Sequence, residues 1–266
     1  MTTLSNGIRL MSVYDNRTMD AAFAIAVNVG YFSDPPELPG LAHLMEHMMF
    51  LGSKEFPAEN EVDEFLSSHR GSANARTEAE ATVYFAKVGL EGLNGSLARF
   101  SAALSEPLFN TTVYEREVHA VDEEHRENLV NQDRVVSELV NQLADERSPL
   151  HHFGTGNLTL LYDVPKAKGI DMAAALRDFH RRFYCAERMT VVLRCGLSLD
   201  EQHLLIESRF HDIRSGTCEQ PRNFQNPSPF VGASVGNYVR MEARSTWRPE
   251  MILTWAVPSL KEHESW

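Results

Sequence analysis

With 266 residues, 43% of them hydrophobic, the chain can bury a sizeable core as one large domain or two modest ones, which excludes a disordered or fibrous protein. Its formal charge of −12 argues against a nucleic-acid partner, because phosphate binding needs a basic surface. No apolar run approaches the ~20 residues of a spanning helix, and the opening MTTLSNGIRL lacks both the basic start and the apolar core of a signal peptide, so no membrane role and a cytoplasmic setting are expected.

Residues 7–14 (GIRLMSVY) and 21–29 (AAFAIAVNV) read as two strands joined by the turn-forming DNRTMD, and they are expected to pair with each other. A loop with three prolines follows at 31–39 and delivers the chain to a helix beginning near Gly40 or Leu41. In that helix, GLAHLMEHMMFLG, His43, Glu46 and His47 project from one face within about 100° of arc, while Leu41, Leu44, Met45 and Met48 cover the other side. Two imidazoles at i and i+4 can take adjacent corners of a tetrahedral zinc ion, and the carboxylate between them can lie beside its open position. The alternative is two core histidines and a capped glutamate. Burying all three in an apolar helix costs several kcal/mol without compensation, and a metal supplies it.

A second helix is expected at 58–68, with Val62, Phe65 and Leu66 at helical spacing and acids in its first turns. Extended segments at 72–76 and 82–88, a helix at 92–104 broken by Pro107, and one long helical stretch from 111 or 112 to 145 come next. The last contains EREVHAVDEEHREN, where a third metal ligand is to be sought. Glu117 and Glu124 stand seven apart and share one face; periodicity cannot choose between them, and a solvated helix face is the plain alternative for either. His119 and His125 are further candidates, although neither has a partner at i+4.

Residues 148–157 (SPLHHFGTGN) read as a loop carrying His151 and His152. An amphipathic helix at 171–184, a strand at 189–195 and a helix to Phe210 capped by Ser198 or Asp200 follow. A polar loop or linker spans 214–232, and two last strands are expected at 238–243 and 251–257. Cys185, Cys195 and Cys218 are odd in number and lack CxxC spacing, so free thiols are expected rather than a disulfide framework.

Taken together, GLAHLMEHMMFLGSKEFPAENEVDEFLSSHRGSANA, the PLF at 107–109, EREVHAVDEEHREN and HHFGTGN resemble, in order and spacing, the pitrilysin/insulysin family of inverted-zincin metallopeptidases. The resemblance implies an α+β fold: a two-layer α/β sandwich whose mixed, mostly antiparallel sheet is covered by helices on one face. It implies one Zn²⁺ per chain held by His43, His47 and Glu124, Glu46 as the catalytic base, and Glu117 supporting the site without being a ligand. Peptide substrates are expected to add as a strand beside Ser72, Asn74 and Ala75, where Arg76 stands in place of the aromatic residue frequent in relatives. By the same resemblance, residues 1–266 form a single N-terminal zinc-peptidase domain, incomplete at its C-terminal end, whose second half is a partner in cis or in trans. A homo-oligomer is also compatible with it. A non-catalytic scaffold subunit of the same fold is the competing reading, and the retained His43, Glu46, His47 and Glu124 weigh against it, as does an open three-ligand site against a purely structural zinc domain.

Overall fold

Alternation along the strands decides the architecture. In the computed structural model, which describes residues 1–216, 218–219, 229–230, 236, 239–241 and 247–253, the first elements are β1 (Thr2–Thr3), β2 (Arg9–Tyr14) and β3 (Asp20–Val27). Every second residue of β3, Ala21, Phe23, Ile25 and Val27, is buried, and the intervening ones are half-buried, the pattern of a sheet with one covered face. Helix α1 (Leu41–Met49) and α2 (Glu61–Ser68) follow, then β4 (Ser72–Thr77) and β5 (Thr82–Gly89). Next come α3 (Leu93–Ser105), α4 (Thr111–Asn128), α5 (Gln132–Gln142), a π-helical turn Thr159–Asp163 running into α6 (Val164–Lys168), α7 (Met172–Phe183), β6 (Met189–Cys195) and α8 (Leu199–Phe210).

The six strands form one sheet in the order β1-β2-β6-β3-β5-β4, antiparallel except for the β2–β6 pair. Phe23, Ile25, Tyr84, Val191 and Leu193 share the covered face, where Phe23 meets Phe100 of α3 edge-on at 4.9 Å. This is the α+β sandwich expected from the sequence. Its pairing differs in one respect: β2 and β3 are not neighbours, because β6 lies between them in register with both. A strand buried at Met189, Val191, Leu193 and Cys195 belongs in the middle of a sheet. Asp15, directly after β2, fixes the arrangement by accepting from Arg194 at 2.6 Å.

Three further differences have local causes. The helical stretch over 111–145 is two helices, since Asn131 is extended and caps the second by accepting from the Arg134 N–H. The second helix starts at Glu61 rather than 58. Cys185 and Cys218 are joined in a disulfide, with Cα atoms 5.9 Å apart, and only Cys195 remains a buried free thiol among the described residues. That pairing depends on Arg214 and Glu219 returning to the α7–β6 region, where the Arg214 carbonyl accepts from Ala186 N–H and the Arg182 carbonyl from Glu219 N–H; no spacing rule reveals it. Most of the 214–232 loop and of the strands expected at 238–243 and 251–257 lies outside the described residues. Among the described residues, no helix is long and apolar enough to cross a membrane.

Candidate metal and peptidase site

Helix α1 carries the site, and its start is fixed from outside. Gly40, with φ +90°, turns the chain into the helix, and its Cα face lies so close to Gly156 that an added Cβ would fall 2.4 Å from the Gly156 Cα. Asp34, 1% exposed, accepts from the Gly40 and Ala42 N–H groups at 2.7 and 2.8 Å, which satisfies donors that a helix start leaves unpaired. Burial pushes its carboxyl above the ordinary range, against the pull of the Gly40, Leu41 and Ala42 N–H groups. At the other end, Leu108 N–H donates to the Gly52 carbonyl and Ser53 bridges Pro107, so the PLF segment clamps the exit of the helix.

The apolar side of α1, Leu41, Leu44, Met45 and Met48, is buried, and its polar side faces α4. Glu124 of α4 reaches both histidines: its Oε2 is 3.2 Å from His43 Nε2 and its Oε1 3.6 Å from His47 Nε2. Tetrahedral zinc bonds of about 2.0–2.1 Å place neighbouring ligand atoms roughly 3.4 Å apart, so the spacing fits such an ion. The candidate donor atoms of His43, His47 and Glu124 all lie within 4.8 Å of one another, and this is the one group of three or more such side chains among the described residues. His119 and His125 are outside it; His125 packs edge-on against Phe153 at 5.3 Å.

The remaining ring nitrogens have acceptors. His43 Nδ1 is 2.8 Å from the Thr155 carbonyl, and His47 Nδ1 is 3.5 Å from Glu117 Oε2. Histidines that hold metals are oriented in this way by carbonyls and carboxylates. The two seven-apart glutamates therefore differ: Glu124 spans both imidazoles, whereas Glu117 approaches only the far side of His47 and also accepts from Arg116. The electrostatics follow. Burial pulls the His47 pKa down, but Glu117 and Glu124 outweigh it and push it up to about 9. Hydrogen bonds from His43 and His47 hold the Glu124 carboxyl well below the usual range, and His47 does the same, less strongly, for Glu117.

Glu46 is 8% exposed, outside the three-residue group, and its Oε2 accepts from the Thr77 hydroxyl at 2.5 Å. Burial raises its pKa, partly countered by Thr77 and the two histidines. Thr77 sits on the helix-facing side of β4 because Ala75 and Thr77 pair with Tyr84 and Thr82, both buried. Nothing in the local sequence singles out Thr77, or Thr155, whose part is played by its backbone; the loop holding Thr155 is itself tied down where Asp122 accepts from Leu158 N–H at 3.0 Å.

β4 ends the sheet, so its outer edge is unpaired among the described residues. Asn74, Ala75, Arg76 and Thr77 line a cleft of about 670 Å³ that also contains His43, Glu46, His47 and Glu124. Of the residues expected to bind peptide, Asn74 and Ala75 line the cleft and Ser72 lies at the exposed start of the same edge. Arg76 is paired with Glu78 at 2.8 Å.

Residues 9–151 match the family described as Insulinase (Peptidase family M16), and residues 172–266 match the Peptidase M16 inactive domain. The chain is 38% identical over 224 residues to the insulin-degrading enzyme of Homo sapiens, covering 84% of this chain and 22% of that protein. It is 38% identical over 218 residues to the A-factor-processing enzyme of Saccharomyces cerevisiae, with 82% and 21% covered. Superposed on the crystal structure of pitrilysin it gives a TM-score of 0.80 at 30% identity, covering 86% of this chain and 24% of that one. It thus spans about a fifth of the length of the curated relatives it matches. With the M16 match extending over more than half of its residues, and with a His-His-Glu group set in the fold that pitrilysin shares, the chain belongs to the insulinase family of M16 peptidases.

Proposed function

We propose that the chain is the N-terminal zinc-bearing part of an endopeptidase or oligopeptidase, with His43, His47 and Glu124 as ligands of one Zn²⁺ and Glu46 as general base. The observation that carries this reading is the convergence of both Nε2 atoms on the Glu124 carboxylate while Glu46 lies beside the group and outside it. A zinc ion bound there supplies Lewis acidity, bringing the pKa of a water molecule near neutrality and polarising a carbonyl. Glu46 takes the proton of the attacking water and returns it to the leaving amine. Thr77 holds the Glu46 carboxylate in place, Glu117 and the Thr155 carbonyl orient the two imidazoles, and the unpaired edge of β4 at 72–75 receives the peptide as an added strand. A cytoplasmic setting belongs to the same proposal, and it requires Cys185 and Cys218 to be held reduced there. The test is cleavage of a quenched-fluorescent peptide: turnover should vanish on chelation and return with zinc, and chelator-resistant turnover would refute the reading.

Two expectations arise here. Thr77→Val should lower kcat about tenfold, the size of effect typical of residues behind the reacting groups, with zinc content and KM unchanged; Thr77→Ser should restore the rate, because it restores the hydroxyl. An unrestored Ser variant would place the loss in packing rather than in the hydrogen bond. The second concerns the chain by itself. Hydrolysis needs donors aimed at the developing oxyanion, and losing one such donor costs on the order of 10²–10³ in rate. In the proposed enzyme these come from a second half, and the chain covers 22% of the human relative. It should therefore bind zinc and turn over far below the ordinary range of roughly 1–10³ s⁻¹, recovering when that half is supplied; ordinary turnover by the chain alone would remove the need for it.

A further inference from the structure

Helix α8 ends at Phe210, and the chain then doubles back onto the turn between α7 and β6. Hydrogen bonds and ion pairs hold it there without help from sulfur. The Arg214 carbonyl accepts from Ala186 N–H at 2.9 Å, the Arg214 guanidinium donates to the Arg181 and Tyr184 carbonyls, and Gly216 N–H donates to Glu187. Glu219 N–H donates to the Arg182 carbonyl, and the Glu219 carboxylate accepts from Arg182 Nε and Nη2 at 2.7 and 3.2 Å. Arg188, 5% exposed, ties this return segment to the end of β3 by donating to the Asn28 and Glu219 carbonyls. Within that frame Cys185 and Cys218 are joined.

Three features set the pair apart from a disulfide that holds a fold together. The surrounding contacts keep its two halves adjacent when it opens, so opening and closing are local events. Its sulfurs are unequally accessible, since Cys185 is buried and Cys218 half-buried, and a small thiol or disulfide reaches Cys218 first. Guanidiniums flank both: Arg182 and Arg188 stand three residues either side of Cys185, and both bind Glu219, the neighbour of Cys218. Cationic neighbours favour the thiolate, the form that attacks and the form that leaves. We infer that Cys185 and Cys218 are a reversible thiol–disulfide switch, which exchanges with a small couple of the glutathione type and fastens or frees the return segment. In the closing direction the Cys218 thiolate attacks glutathione disulfide and displaces one glutathione thiolate, leaving a mixed disulfide. The Cys185 thiolate then attacks the Cys218 sulfur and the second glutathione leaves. Two electrons pass from the protein dithiol to glutathione disulfide, and the two thiol protons end on the two glutathiones. Residues 220–266 depart from Glu219, so the switch governs whether their point of departure is fixed. It requires neither zinc nor peptide cleavage.

The test equilibrates the full 266-residue chain in buffers running from reduced to oxidised glutathione, traps its thiols with a maleimide under denaturing conditions and counts them by mass. Three thiols are expected in excess reduced glutathione and one, Cys195, in excess oxidised glutathione, with the circular dichroism of the folded chain unchanged between the two. Trypsin cleavage after Arg214 reads the return segment itself: it should be at least about tenfold slower in the disulfide form, because the cross-link suppresses local opening. Cys218→Ser, a change at the more accessible sulfur, should be cut at the rate of the reduced parent in every buffer, and a thermal midpoint matching that of the reduced parent establishes that it folds. A disulfide that survives excess reduced glutathione in the folded chain would overturn the inference in favour of a permanent cross-link. A dithiol that persists in oxidised glutathione, or stops at a glutathione adduct, would overturn it as well. So would equal cleavage after Arg214 in the two states, or the same redox dependence in Cys218→Ser. None of these results bears on the peptidase reading.

Discussion

Replacing His43, His47 or Glu124 by Ala is expected to strip zinc from the protein, with affinity falling by more than the 10- to 100-fold typical of losing a supporting partner. The geometry makes the three inseparable: Glu124 bridges both imidazoles, so each deletion leaves two donors where three converge. Glu117→Gln should behave differently. It removes the negative charge behind His47 Nδ1 and leaves all three donor atoms in place, so its loss should remain within that 10- to 100-fold range. Zinc titrations of Glu117→Gln and Glu124→Gln side by side give the comparison. Equal losses would erase the distinction between the two acids.

The second large effect is expected far from any donor atom. Gly40→Ala should destabilise the protein by more than about 3 kcal/mol, because the new Cβ meets the Gly156 backbone and the residue must keep a left-handed φ. Asp34→Ala should cost about 2–4 kcal/mol by orphaning buried N–H groups at the start of α1. Both changes displace the helix that carries His43 and His47, and Gly40→Ala also pushes away the loop whose Thr155 carbonyl meets His43. Thermal unfolding with and without zinc should therefore show a lower midpoint and a smaller zinc-dependent gain. Parental stability in Gly40→Ala would contradict the packing of α1 against Gly156.

How much of this the sequence discloses depends on the range of the interactions. His43, Glu46 and His47 are legible because a helix fixes their mutual directions, and Glu117 and Glu124 are legible as a pair for the same reason. The choice between those two needs the approach of α1 to α4, which periodicity along one helix does not contain; the family resemblance favoured Glu124, and the position of that carboxylate between both rings supports it. Thr77, Asp34 and the Thr155 carbonyl act through contacts between separate elements, each an ordinary loop or strand residue when read locally. The strand content of the sheet is likewise legible, whereas the insertion of β6 between β2 and β3 is a long-range pairing, with Tyr14 opposite Cys195. The break at 129–131 did leave a local sign, the capping Asn131, which the surrounding helical pattern obscures.

Glu46→Gln tests the central claim most directly, through zinc content and peptide cleavage measured on the same preparation, with the proposed second half supplied so that cleavage is readily seen. An isosteric amide keeps the shape of the side chain and can still accept from Thr77, but it cannot take a proton from water. One equivalent of zinc retained together with a loss of about 10²–10⁴ in rate is the predicted result, the range expected when a positioned general base is removed. Loss of the metal would make Glu46 a ligand, and undiminished cleavage would show that the base lies elsewhere.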